Sequence, residues 1–453
     1  MSKFLTFTIL LAAVVTTHAA DIGTWRLLVP KQAYTVRTNP QNPDRIYVGN
    51  WANQILLSND QGATWDVVKT GSQGATNMLT SIHVCQQDTG VVLLGGLLIT
   101  GIKRSNDGLE TWEQVLQDST GRQMWFVSEA ITQAPDGNLY AARGRAESAI
   151  YRSTDVGKTW DSIAIIPRSV TDRLCTITAH PTDPNLLFLG AKSGKIIRST
   201  DAGKTWSVSP INGKDTIREK SEIPKIVFSP NNPDRGYAIV AIALEENISG
   251  NGGVLATTDR GVTWTRIAFP DTSFWAVDVR PTKSGVDDII VGGFRIAESD
   301  TIIKGDSLIY RSLDGGVTWQ QYLNTNWQKN EIGQTVRNVW SFYRDPTNNK
   351  EYMATQLGLY VLEEVVGVAE DRRQERAQLR AWFDGQNITV VDDAPSPTDS
   401  YWKLYNMAAN LVASGSVHDA RTIIAAQTLS AGQYLLVWGS DTRFRTVSVQ
   451  VQR

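Results

Sequence analysis

The sequence predicts an all-β chain: a seven-bladed β-propeller closed by its own N-terminal strand, then a small C-terminal β-sandwich. Three observations predict it. An eight-residue phrase close to Ser-x-Asp-x-Gly-x-Thr-Trp occurs six times, as SNDQGATW (58–65), SNDGLETW (105–112), STDVGKTW (153–160), STDAGKTW (199–206), TTDRGVTW (257–264) and SLDGGVTW (312–319). Its aspartates, Asp60, Asp107, Asp155, Asp201, Asp259 and Asp314, are 47, 48, 46, 58 and 55 residues apart, a period at which one supersecondary unit is stacked many times. Between the copies lie short β-branched or aromatic runs bounded by Gly, Pro, Asn or Asp, and long apolar helical patterns are nearly absent.

From the N-terminus, residues 1–19 read as a secretory signal peptide: Lys3 as a weak positive region, an apolar core over 4–15, and Thr17-His18-Ala19 as a small-residue exit. Cleavage is expected after Ala19 or Ala20. The apolar run is too short for a spanning helix, and no later segment is a transmembrane candidate. Next comes DIGTWRLLV (21–29), in which Asp21, Gly23, Thr24 and Trp25 stand in the register of the repeated phrase.

The fourth repeat shows the unit most plainly. LCTITAHP (174–181), NLLFLGA (185–191), KIIRS (195–199) and TWSVSPI (205–211) read as four strands, with the repeated phrase between the third and the fourth. Four antiparallel strands per period make one propeller blade. The last repeat, 339–364, supplies three strands and no phrase, so the N-terminal strand is expected to complete it. The propeller is thereby placed at 20–364.

Composition narrows the chemistry. The 453 residues carry a formal net charge of -2, which offers no basic field for a nucleic-acid partner. Cys85 and Cys175 fall in non-neighbouring repeats and are expected to be buried free thiols. Past the signal peptide only His83, His180 and His418 remain, little material for a zinc site or a histidine-based triad. No metal and no cofactor are expected.

Within each copy of the phrase the Asp carboxylate can accept backbone N–H bonds, Gly supplies a positive φ, and Trp can fill a gap between blades. A calcium loop is the competing reading, but no bidentate Glu follows and the ligands are too few. In SNDGLETW the glycine is one place early, at Gly108, with Leu109 in its slot, so that turn is expected to differ slightly. The pattern resembles the Asp-box, or BNR, repeat family, whose members include sialidases, xyloglucan-degrading glycosidases, sortilin-type receptors and photosystem assembly factors. The resemblance covers 21–364 and implies a propeller; those relatives differ too widely in activity for it to imply one reaction.

Antiparallel strands alternate ends, so the box turns share one face of the disc with the first-to-second turns, and the longer, more varied loops lie opposite. On that opposite face Tyr34, Trp275 and Trp340 hold matching positions at the start of inner strands in blades 1, 6 and 7. Trp51 lies in a second-to-third loop; Trp125 and Trp327 lie between blades. Glu129, Arg173 and Arg337 sit at comparable inner-strand starts. Aromatic rings with a few charged groups around a central depression suit a glycan or a protein ligand; rings packed between blades are the plainer alternative.

Catalysis has less support. The Phe-Arg-Ile-Pro signature of sialidases is absent near the N-terminus, and FRIA at 294–297 lies in blade 6 without the proline and reads as chance. Relatives acting on xyloglucan use a cleft between two propellers, whereas one is predicted here. A carboxylate pair on the open face would make a glycoside hydrolase, but the sequence singles out no such pair and no catalytic residue.

Residues 365–380 are mixed-charge and phrase-free, as a linker would be, and 381–453 read as the β-sandwich. Leu404-Tyr405-Asn406, LSAGQY at 429–434, and the basic-then-apolar run from Arg443 to Val449 resemble the C-terminal sorting domain of the bacterial type IX secretion system. That resemblance implies export through the periplasm, with the secretion machinery as a partner, to the outer surface or medium. The expected function is a secreted or cell-surface binding propeller. A secreted glycoside hydrolase and a periplasmic assembly factor are the alternatives.

Overall fold

The structure, a computed structural model, describes residues 24–70, 77–144, 147–212, 221–242, 252–280, 282, 284–294, 309–321, 338–363, 379–393, 400–417, 419–440 and 443–452. The expected signal peptide at 1–19, Asp21 and Gly23 of the split phrase, Trp327, Arg337 and most of the expected linker lie outside them.

The described residues form strands and no helix. Each period folds on itself as an antiparallel sheet, because Gly, Pro and Asn-rich turns return every run beside its neighbour. In chain order these sheets occupy 35–69 (sheet 1), 78–117 (sheet 2), 131–166 (sheet 3), 174–209 (sheet 4), 221–268 (sheet 5), 274–321 (sheet 6) and 339–363 (sheet 7). The strand Thr24–Val29 completes sheet 7 by pairing antiparallel with Leu359–Glu363, Trp25 opposite Leu362. Sheet 5 gains a short parallel outer strand, Ile211–Asn212, from the tail of sheet 4.

The first strands touch one another in sequence, sheet 1 to 2 and onward to 7, and sheet 7 touches sheet 1 again, so the order is cyclic. Each interface between neighbouring sheets carries its own apolar cluster. The tryptophans of the repeated phrase fill these interfaces: Trp65 between sheets 7 and 1, Trp264 between 4 and 5, Trp319 between 5 and 6. Trp25 occupies the equivalent groove between sheets 6 and 7, its ring centroid 5.9 Å from that of Phe342.

The C-terminal strands make two layers around one core that includes Leu379, Ile388, Leu404, Leu436, Trp438 and Val449. The first begins at Leu379, two residues before the expected boundary at Ala381. Nor is this unit held away from the repeats. Its last strand, Arg443–Val451, pairs antiparallel with the outer strand Thr64–Lys69 of sheet 1, Phe444 opposite Trp65, so one sheet of eight strands runs through both units. The reason is general: the outermost strand of a sheet has a row of unpaired N–H and C=O groups that another strand can satisfy.

Candidate functional site

On the face opposite the box turns the structure joins four of the sequence-predicted aromatics into a continuous wall. Trp51 meets Tyr34 edge-on at 5.5 Å, Tyr34 meets Trp340 at 5.4 Å, and Trp340 meets Trp275 edge-on at 5.9 Å. Phe294 packs under both indoles, 4.7 Å from Trp275 and 5.5 Å from Trp340. Local backbone irregularity sets this up. Trp275 and Trp340 are the extra residues at register shifts, between Phe274 and Ala276 and between Val339 and Ser341. A bulge leaves its residue out of the ladder and re-aims its side chain. The indole N–H of Trp51 donates to Gln32, while the Trp340 N–H and the buried Tyr34 hydroxyl have no partner. Burial pushes the Tyr34 hydroxyl pKa up. Such a wall offers ring surface to sugar or apolar side chains.

Glu129 serves a different arrangement. Its carboxylate lies in the central channel and accepts from Lys225 of sheet 5, from Arg37 of sheet 1 at 2.9 Å and from Ser341 of sheet 7 at 2.7 Å. Burial would raise its pKa, but Arg37 and Lys225 outweigh that and hold it at about 2. Glu129 therefore links distant sheets across the channel. Nearby His83 is held neutral, down at about 4, by burial and then by Arg37.

Trp125 and Arg173 come together on the open face, at a cavity of about 280 Å³ shared with Gly144, Asp172 and Lys192 between sheets 3 and 4. Its charges are matched: Arg173 pairs with the buried Glu222, and Lys192 with Asp172 at 3.0 Å. Phe294, Gln32, Lys225 and Ser341 escaped the sequence reading. Phe294 could have been found, since it follows its second strand as Trp51 follows the strand Asn42–Gly49. Lys225 and Ser341 meet Glu129 only through ring closure and leave no local signal.

The box aspartates face inward on their own turns. In the fourth copy Asp201 Oδ1 accepts the Ser199 hydroxyl at 2.8 Å and the Thr205 amide at 2.8 Å, and Oδ2 accepts the Thr205 hydroxyl at 2.6 Å. Asp60, Asp155, Asp259 and Asp314 repeat this scheme. The second copy corrects an expectation. Its turn takes the same path, with Gly108 at φ 80° and Leu109 at φ 78°, the Leu109 amide reaching Ser105 Oγ at 3.1 Å and Thr111 bonding Asp107. Leu109 adopts the left-handed backbone because its side chain is buried in the cluster between sheets 1 and 2.

Comparison with known proteins agrees with this geometry. The family profile described as "Sortilin, neurotensin receptor 3" matches residues 148–291. Xyloglucanase Xgh74A of Acetivibrio thermocellus is 28% identical over 173 residues, 30% of this chain and 20% of that protein. A xyloglucanase from a Paenibacillus species is 28% identical over 160 residues, 28% of this chain and 16% of that protein. The chain thus matches a fifth or less of the length of these curated relatives. Among solved structures, the GH74 xyloglucanase of Xanthomonas campestris superposes with a TM-score of 0.56 at 16% identity, covering 93% of this chain and 74% of that one. YCF48 bound to D1 peptide superposes with a TM-score of 0.50 at 15% identity, covering 76% and 98%. Geometry and likeness together define a β-propeller, part of which is similar to the sortilin profile.

Proposed function

We propose that this chain is a secreted or cell-surface binding protein that recognises a glycan or protein ligand through the aromatic wall of Trp51, Tyr34, Trp340, Trp275 and Phe294. In this reading the ring has seven blades, the N-terminal strand closes the last, and residues 1–19 direct export. The C-terminal β-sandwich then serves type IX sorting. The observation that carries the binding reading is the wall itself: five rings in mutual contact from three neighbouring sheets, two of them placed by bulges. The similar proteins include xyloglucanases and YCF48 bound to D1 peptide, which supports both ligand classes.

The glycosidase alternative draws on the likeness to xyloglucanases. A general acid needs a carboxyl with a raised pKa. Around the open face Glu222 and Asp172 are ion-paired, and Glu129 in the channel is pinned low by two cations; Asp278, whose pKa burial raises to about 7, lines the opposite mouth, away from the wall. The binding reading is therefore preferred.

Probing the full chain against glycan and peptide arrays tests it. A hit is expected to lose at least about tenfold in affinity when Trp275→Ala is combined with Trp340→Ala, since each buried ring contributes on the order of 1–3 kcal/mol. Unchanged binding by that double variant rules out the wall as the site. Release of reducing sugar from a bound glycan would favour the hydrolase.

A further inference from the structure

The opposite mouth of the channel holds a second cavity, of about 350 Å³, within the range of small-ligand pockets. Pro230 and Pro346 on its lining belong to first-to-second turns. Such turns sit against the box turns: the Arg260 amide donates to Asp234 O and the Ala202 amide to Asn185 O, both at 2.9 Å. The cavity therefore opens on the box face, away from the aromatic wall.

Its charge is lopsided. Arg37, Lys225 and Arg344 line it, and Asp278 is the carboxyl among its lining residues. Arg37 and Lys225 share one carboxylate, Glu129. Arg344 donates through Nη2 to Asn349 at 2.9 Å, but its Nε and Nη1 are buried without an acceptor. The neighbouring carboxylate Glu351 is already engaged by Arg280 at 2.7 Å. Unpaired guanidinium N–H groups in a buried setting are costly, and a charge-assisted bond to an oxyanion removes that cost. All this occurs in a chain whose overall charge is slightly negative, so the cationic lining is local.

We propose that this cavity binds a small oxyanion, bearing carboxylate or phosphate-like groups, held by Arg344 together with Arg37 and Lys225, and that Asp278 makes the binding depend on pH. Asp278 Oδ1 accepts the Val279 amide at 2.9 Å. It is faced by Lys225 from the first strand of sheet 5, Arg37 from that of sheet 1, Arg344 and Glu351 from sheet 7, and Glu129 ahead of sheet 3. Burial raises its pKa to about 7. Protonated, it is neutral and can donate to the ligand; ionised, it repels it. Affinity is thus highest on the acid side of about 7 and falls as pH rises through it.

Titration calorimetry of the full chain with sulfate and with succinate, at about pH 6 and about pH 8, tests this; sulfate stays fully ionised throughout. Binding of either is expected, several-fold tighter at the lower pH, and the stronger of the two tells a tetrahedral from a carboxylate ligand. Arg344→Gln is expected to weaken binding at least about tenfold, the loss of one charge-assisted contact. The near-isosteric Asp278→Asn is expected to keep the affinity and lose the pH dependence. Binding of neither anion, unchanged binding by Arg344→Gln, or a surviving pH dependence in Asp278→Asn overturns the proposal. Should Arg344→Gln fail to fold by circular dichroism, the Asp278→Asn comparison decides. None of these outcomes bears on the aromatic wall.

Discussion

At the residue scale, the repeated phrase is a set of hydrogen bonds whose donors and acceptors all lie within eight positions. In Asp107 and Asp201 the threonine hydroxyl, then the threonine amide, hold the carboxyl at about 2. In Asp155 and Asp314 slight burial works the other way, yet the same threonine bonds leave the carboxyl at about 2. These groups sit below their unfolded value, so their contribution is present above about pH 4 and disappears as pH falls toward about 2. Denaturant unfolding between those limits is expected to show a steep acid loss, and a flat profile there contradicts the turn geometry. Glycine in the phrase has a steric reason as well as a conformational one. A Cβ at Gly261, where φ is +74°, would lie 2.2 Å from Phe188 Cε1 in sheet 4. Gly261→Ala is therefore expected to cost about 2 kcal/mol or more in thermal or chemical unfolding.

At the element scale, two features decide what the strands present. Bulges at the starts of inner strands turn Trp275 and Trp340 out of their ladders, and no composition or periodicity marks a bulge of this sort in advance. Their matching positions in the repeats were legible; that they touch one another and Phe294 was not. The second feature is the strand Arg443–Val451. Thr446 N donates to Ala63 O at 2.8 Å and Arg443 meets Asp66 at 3.3 Å, while Arg445 pairs with the buried Asp392. The basic residues that carry the resemblance to a sorting signal thus have structural partners. A chain ending at residue 363 is expected to leave the strand Thr64–Lys69 with a bare edge and to self-associate, which sedimentation would detect. Within the full chain, Phe444→Ala is expected to cost about 3–5 kcal/mol, because Phe444 is 1% exposed against Trp65. A loss under about 1 kcal/mol would mean that the two units are only loosely joined.

At the scale of the whole molecule, Glu129 gathers groups from sheets 1, 5 and 7 into the channel. Glu129→Gln removes the carboxylate that the buried Arg37 and Lys225 share, and is expected to lower stability by about 3–5 kcal/mol. A thermal melt that does not move would show that water replaces the carboxylate. Strand order, turn chemistry and the choice of opposite faces were all contained in the sequence, because each depends on residues close together in a phrase that repeats. The tertiary structure alone decided which side chains meet in the channel and where the C-terminal strand pairs. Ser341 and Glu129 are 212 residues apart and meet only because the ring closes. The edge of Thr64–Lys69 is satisfied by backbone groups that every strand carries, so no side-chain pattern could announce its partner.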